Sequence, residues 1–403
     1  MKRLGNVHIL MYSHDTFGLG HLRRCRAVAH SLVENFKGVS ILIITGSQIA
    51  GAFNFSARVD FVKIPSVIKL YNGEYTSIDK HIDLTDTLQM RQSIIQHTAE
   101  SFQPDIMIVD KEPLGLRGEM VPTLHYLKKQ GCRMVLGLRD VMDSPTKLRQ
   151  EWAKSNALQQ IENLYDDIWV YGTEKFWDPL QGLEVTDALR EKMTWLGFLR
   201  RAQAATQVTM NRPKQSYLLV TGGGGGDGAR LMGQVLSAYE SGGEKLPHAL
   251  LVLGPLMPSD QRGQIFARAG AVESVDVIEF DNNMEDLIEG AAGIVGMCGY
   301  NTFCEVLSFN KPALIVPRTY PREEQFIRAT RAGELGLLQV MLPDDADDAQ
   351  LLAGALAGLS NRPLPAKSGG DAMLQGLDSI NDFVSNWAGN RPTADLYARS
   401  GVI

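Results

Sequence analysis

Gly18-Leu19-Gly20-His21 sets a histidine directly behind a glycine turn, between the apolar run Val7–Tyr12 and the amphipathic stretch Leu22–Phe36. The run predicts a strand and the stretch a helix. His21 then enters a helix at the carboxyl end of a parallel sheet, where open α/β folds bind ligands. A neutral imidazole there can take a proton from an attacking hydroxyl or water. The glycines are not a dinucleotide fingerprint, because Arg23 stands where the third glycine belongs. A tight turn with His21 as a capping residue is the competing reading. Other polar residues close later apolar runs: Asp110-Lys111-Glu112, Arg139-Asp140 and Tyr171-Gly172-Thr173. Asp110 is the second catalytic candidate, as a base itself or as the group that orients His21. Glu112 could share that orienting role. With Gly18, Gly20 and Arg139 it is also a candidate for holding a second reactant. Strand-end charges can equally just solvate loops. Arg23, Arg24 and Arg26 could offset phosphate charge or form a solvated helix face.

A second glycine run, Thr221-Gly222-Gly223-Gly224-Gly225-Gly226-Asp227-Gly228, follows the expected strand Ser216–Val220 and opens the expected helix Ala229–Tyr239. Successive unhindered N–H groups at a helix start form an anion-binding nest. No Gly-Lys-Ser/Thr follows, so the run is not a Walker loop. A third constellation is Gly299-Tyr300-Asn301-Thr302-Phe303-Cys304-Glu305, then Lys311-Pro312 to Pro317-Arg318, then Glu323-Glu324-Gln325. The helix start near Asn301 can cradle a diphosphate. A carboxylate one turn in, at Glu305, can accept both hydroxyls of a ribose; a surface glutamate is the alternative. The one Asp-x-Asp, Asp345-Ala346-Asp347, precedes an expected helix Ala349–Leu359 and reads as capping, so no metal site is expected.

These motifs need scaffolds. The chain has 403 residues, 44% hydrophobic and 21% charged, which suits two globular domains and excludes a disordered chain. Further strands are expected at Val39–Thr45, Asp105–Val109, Arg133–Leu138 and Asp167–Tyr171. Beyond a polar segment near 197–213 the rhythm restarts, with strands at His248–Leu253, Val275–Phe280, Gly293–Gly296 and Ala313–Val316 and a helix at Thr302–Ser308. Alternating strands and helices build parallel sheets covered on both faces. The expected division is 1–200, a linker 201–213, a second domain 214–370, and a C-terminal helix (Asp371–Trp387) with a frayed tail (Arg391–Ile403) over 371–403. A net charge of −6 argues against nucleic acid as the main partner. The four cysteines form no CxxC pair and read as reduced thiols. No run of about 18 apolar residues occurs, and the N-terminus lacks the features of a signal peptide, so a cytoplasmic protein is expected.

The stretch Ser216–Leu338 resembles glycosyltransferase family 28, typified by the lipid II-forming N-acetylglucosaminyltransferase of bacterial cell-wall synthesis. The resemblance lies in the glycine-rich loop, the small-residue turn before Glu305, the prolines Pro312 and Pro317, and Gln325. It implies a GT-B fold, in which two doubly wound Rossmann-like α/β domains face an interdomain cleft. It further implies a nucleotide-sugar donor, expected to be a UDP-sugar, with no cofactor. Glu305 would bind the ribose, Gly222–Gly226 and Gly299–Thr302 would line the diphosphate, Phe280 and the Asp281–Met284 loop would lie near the uracil, and Glu324 and Gln325 would face the sugar. Trp195-Leu196-Gly197 resembles that family's hinge. The family shows Gly-Gly-His where this chain has Gly20-His21-Leu22-Arg23-Arg24-Cys25, which is similar to the UDP-sugar hydrolase of pseudaminic acid biosynthesis. The implied activity is inverting transfer of a hexose or N-acetylhexosamine to a glycan or lipid-linked acceptor. Hydrolysis of the same donor and non-catalytic binding are the alternatives. A lipid-linked acceptor would bring the protein to the inner face of a membrane.

Overall fold

The computed structural model describes residues 1–14, 19–69, 75–78, 81–201, 209–224, 226–242 and 246–390. The chain divides into two compact units, Met1–Leu199 with Gln375–Ile403, and Arg200–Leu374. Among the described residues, no helix is long and apolar enough to cross a membrane.

The first unit is built on β1 (Lys2–Ser13), β2 (Phe36–Thr45) and β3 (Val59–Lys63), then a small antiparallel pair, β4 (Val67–Lys69) and β5 (Tyr75–Ser77). It continues with β6 (Ile106–Asp110), β7 (Arg133–Arg139), β8 (Asp167–Tyr171) and β9 (Met193–Trp195). Seven of these form one parallel sheet, ordered β3-β2-β1-β6-β7-β8-β9. Every residue of β6, Ile-Met-Ile-Val-Asp, is buried, as a central parallel strand covered on both faces requires. The connecting helices include α1 (Gly20–Asn35), α2 (Leu84–Phe102), α3 (Val121–Lys129), α4 (Pro145–Lys154), α5 (Ala157–Leu164) and α6 (Asp187–Glu191). Helix α1 turns Leu22, Cys25, Val28, Ala29 and Leu32 inward, an i, i+3, i+4 stripe.

The helix expected over 371–387 begins later. Asp371–Met373 make a separate 3-10 turn, and the helix proper runs Gly376–Gly389 and returns to the first unit. Gly376 sits where an added Cβ would come within 2.5 Å of the Gly197 carbonyl oxygen. Only a residue without a side chain lets the chain enter there. Further along, Phe383 packs edge-on against Trp169, with ring centroids 5.1 Å apart. The expected tail, Arg391–Ile403, lies outside the described residues.

The second unit holds β10 (Tyr217–Thr221), β11 (His248–Val252), β12 (Val275–Ile278), β13 (Gly293–Gly296), β14 (Ala313–Ile315) and β15 (Gln339–Val340). They pair in parallel in the order β12-β11-β10-β13-β14-β15. The helices are α7 (Ala229–Gly242), α8 (Ser259–Ala269), α9 (Met284–Gly290), α10 (Tyr300–Ser308), α11 (Glu324–Glu334) and α12 (Ala349–Gly358). Asp348 caps α12, its carboxylate accepting from the Gln350 and Leu351 N–H groups. Strand β12 ends at Ile278, two residues before Phe280, because the chain there bends into the loop that precedes α9.

Candidate functional site

In each sheet the strand order reverses direction once, and a ligand crevice forms where loops leave two adjacent strands in opposite senses. In the first unit that point lies between β1 and β6, and in the second between β10 and β13. Gly20, His21 and Asp110 lie at the first point and Gly222–Gly224, Gly226 and Gly299–Thr302 at the second, whereas Arg139 ends another strand and Phe280, Glu324 and Gln325 follow others.

At the first point, Ser13 ends β1 in register with Asp110 at the end of β6. His21, the second residue of α1, faces Asp110 across this seam, with Nδ1 2.6 Å from Oδ2. Lys111 then takes a left-handed φ of 68°, and its N–H donates to the Gly137 carbonyl in β7. Such a conformation persists where the surroundings over-determine it. Arg24 closes the arrangement from the next turn of α1. Its Nε donates to Asp110 Oδ1 at 3.0 Å and its Nη2 to Oδ2 at 2.6 Å. Burial works to raise the Asp110 carboxyl, but the Arg24 guanidinium and His21 hold it well below the usual carboxylate range. Asp110 is therefore an anion at neutral pH, and it fixes the imidazole through Nδ1, leaving Nε2 as the basic nitrogen. Arg24 is 2% exposed, so it is no part of a solvated helix face. The N-cap residue of α1 is Leu19, which makes no side-chain capping bond, and His21 is paired with Asp110.

His14 leads out of β1, its ring 5.8 Å from that of His21. Burial lowers it from the ordinary 6.5 to about 3. A histidine held neutral in this way stabilises the fold fully above pH 6.5, and that contribution drains away as pH falls from 6.5 towards 3. Lowering the pH from 7.5 to 5 should therefore cost wild type about 2 kcal/mol more unfolding free energy than it costs His14→Gln. Urea titrations of both proteins at the two pH values would measure this, and parallel losses would remove His14 from the account.

Glu112 adds a second carboxylate charge close to His14 and His21. Its carboxylate accepts from Lys111 Nζ at 2.7 Å. Burial works to raise it, but the Lys111 ammonium holds it below its ordinary value. Arg139 ends β7 and donates from Nη2 to the Met142 carbonyl. Gly20 begins α1, and Gly18 lies outside the described residues.

At the second point, the glycine loop leaves β10 with the Thr221 hydroxyl accepting from the Gly223 N–H at 3.1 Å. Gly223 has a φ of 68°. A Cβ on Gly222 would stand 2.8 Å from the Gly228 Cα, so the two ends of the loop touch backbone to backbone. The Gly224 carbonyl accepts from Leu256 N, Gly226 is half-buried, and Gly225 lies outside the described residues. From β13 the chain turns through Cys298, at a φ of 65°, into Gly299, the N-cap of α10. Gly299 offers no side chain to cap this helix and has open space where one would stand. Arg328, fully buried in α11, braces the turn by donating from Nη1 to the Cys298 carbonyl, its guanidinium 5.8 Å from the Tyr300 ring. The Asn301 Oδ1 accepts from Arg201 at 2.6 Å, and Thr302 is buried. Glu305 is 3% exposed, which rules out a surface glutamate.

Glu324 and Gln325 open α11, and both are buried. Phe280 is half-buried and follows the edge strand β12, separated from β10 by β11. Its neighbour Asp281 gathers three donors, Thr209 Oγ1, Asn211 Nδ2 and the Asn283 N–H. Sequence reasoning passed over Arg328, Asp227 and the pairing of Arg318. A cationic side chain inside an otherwise apolar helical stripe, as at Arg24 and Arg328, was the available signal.

Residues 217–375 match the model of the glycosyltransferase family 28 C-terminal domain. A sequence search of curated proteins finds no match. Among solved structures, the chain is similar to the glycotransferase of kitacinnamycin, at 14% identity and a TM-score of 0.64 over 96% of this chain and 99% of that one. It is similar to MurG of Acinetobacter baumannii, at 14% identity and a TM-score of 0.58 over 94% of this chain and 99% of that one. It is also similar to a putative UDP-N-acetylglucosamine 2-epimerase from Listeria monocytogenes, at 12% identity and a TM-score of 0.61 over 96% of this chain and 98% of that one. These likenesses show a GT-B fold. Family match and fold together support a glycosyltransferase.

Proposed function

We propose that this GT-B protein with a family 28 C-terminal domain transfers a hexose or N-acetylhexosamine from a UDP-sugar to a hydroxyl of a glycan or lipid-linked acceptor, with inversion and without a metal. One observation carries the reading: the glycine loop and the start of α10 flank the β10–β13 seam, inside the stretch that matches the family 28 model. Backbone N–H groups at a seam of this kind favour a diphosphate. Glu305, buried on α10, is then the ribose ligand, and Glu324 and Gln325 face the sugar. The uridine choice rests on the family resemblance and on the UDP-linked substrate named for the epimerase of similar fold.

In the proposed reaction the acceptor hydroxyl attacks the anomeric carbon on the face opposite the diphosphate. The C–O bond to UDP breaks as the new one forms, and the hydroxyl proton passes to His21 Nε2. Asp110, kept anionic by Arg24, stabilises the imidazolium that results. Charge growing on the leaving diphosphate meets fixed backbone dipoles, which need no reorganisation during the step. A lipid-linked acceptor would place the reaction at the inner face of a membrane.

A thermal-shift panel of UDP-, GDP-, dTDP- and CMP-sugars tests the donor. A ligand at 100 times its Kd stabilises by about 2.7 kcal/mol. UDP-sugars should raise the melting temperature of the wild type and leave Glu305→Ala unmoved. A larger response to another nucleotide, or an undiminished UDP response in the variant, would overturn the assignment. Rapid release of free sugar from a UDP-sugar with no acceptor present would replace transfer by hydrolysis.

A further inference from the structure

Arg318 follows β14 and reaches three places at once. Its Nη1 donates to Asp227 Oδ2 in the glycine loop at 2.5 Å. Its Nη2 donates to Glu324 Oε1 at 2.5 Å, and its backbone N–H donates to Gln325 Oε1 at 3.1 Å. The Glu324 carboxylate is 8% exposed and the Arg318 side chain 22%, so that bond is largely screened from water, while the Asp227 side chain is 32% exposed. The buried Arg318 Nε has no hydrogen-bond partner among the described residues.

Each contact has a consequence. Gln325, with its Oε1 turned to the Arg318 N–H, has its amide NH2 left to present to a ligand. Glu324, pinned through one oxygen, loses the freedom to swing. Asp227, pinned from the side of α11, fixes the last turn of the glycine loop one residue before Gly228, which already touches Gly222. An arginine suits the task because its planar fork holds two carboxylates in fixed directions, which a lysine cannot do.

We propose that Arg318 is the residue that positions the donor sugar, latching the glycine loop to the start of α11 and setting the directions from which Glu324 and Gln325 meet the sugar hydroxyls. This rests on the donor site proposed above. The glycine loop is closed by the Gly222–Gly228 backbone contact without the latch, so loss of the latch falls on the sugar end of the donor and separates the sugar from the nucleotide. The Nε–H is left to a hydroxyl oxygen of the donor sugar, since an unpaired buried donor group is costly.

The test is calorimetric titration of the full chain, as wild type, Arg318→Ala, Arg318→Lys and Asp227→Asn, with UDP and with the UDP-sugar that stabilises wild type most. Arg318→Ala should weaken UDP-sugar binding roughly tenfold or more, the scale of a lost charged hydrogen bond, and leave UDP binding within about twofold. Retained UDP binding also shows that the variant is folded. Arg318→Lys should recover part of the loss, and Asp227→Asn should show a smaller loss of the same kind. Equal weakening of both ligands, or no change in either, would overturn the inference while leaving the donor site standing. A wild type that binds UDP but gains nothing from the attached sugar would also overturn it. A wild type that binds neither ligand would bring down the donor site and this inference together.

Discussion

His21→Ala is expected to lower kcat by a factor of roughly 10² to 10⁴, the range a positioned general base supplies, while donor affinity stays within about twofold of wild type. The geometry sets both halves of this expectation. Among the described residues His21 is held through Nδ1, by a carboxylate that two Arg24 N–H groups hold in place. Its removal takes away the proton acceptor and leaves Asp110 still paired with Arg24, so the fold around the β1–β6 seam should survive. A base that acts only as the reaction proceeds lowers kcat and kcat/KM together. Steady-state kinetics with the acceptor varied, beside calorimetric titration of the donor, reads both. Asp110→Asn makes the cross-check, because an amide cannot stabilise the imidazolium. If His21→Ala turned over at the wild-type rate, a base elsewhere would be doing the chemistry. If it lost donor binding instead, His21 would belong to the donor site.

The strands that carry these groups were legible as apolar runs. Asp167–Tyr171 and Gly293–Gly296 fall where their runs do, because central parallel strands are buried on both faces and leave a continuous signature. The seam residues were legible as polar groups closing such runs. Which carboxylate meets His21 was not. Asp110 and Glu112 lie two residues apart, and only the register that sets Ser13 against Asp110, with the left-handed turn at Lys111, decides between them. Arg24 was visible as one turn beyond His21 on the same helix face, a spacing that puts two side chains side by side. Its burial was not visible, since charge on a helix usually marks a solvated face. Arg318 and its partner Asp227 are 91 residues apart. No local pattern joins them, because such a pair is made by the strand order of the sheet and not by the helix or loop that bears either residue.

The same holds for the largest expected effect on stability. Glu119→Ala should destabilise the first unit by about 3–5 kcal/mol, the cost of stranding a buried charge. Arg91 in α2 is fully buried and donates to Glu119 through Nε and Nη2, both at 2.6 Å, and through Nη1 to the Pro65 carbonyl. Tyr12 in β1 donates its hydroxyl to the same carboxylate at 2.5 Å. The network ties β1, α2, the segment after β3 and the turn before α3 into one knot beneath the β1–β6 seam. Alanine at 119 leaves a guanidinium without its counter-charge and a phenol with only the longer contact to His14 Nδ1, at 3.3 Å. In a unit of this size the loss corresponds to a fall in Tm of roughly 10 °C. The double variant Arg91→Met/Glu119→Leu should recover most of it, because two apolar side chains of similar volume strand no charge. Thermal unfolding of the three proteins measures the coupling. A single variant no less stable than the double would mean that water reaches the knot and that the charge is not buried. A rescued fold would allow a further reading of kinetics: if the double variant melts like wild type yet turns over slowly, the knot also holds Tyr12 and β1 where His21 needs them.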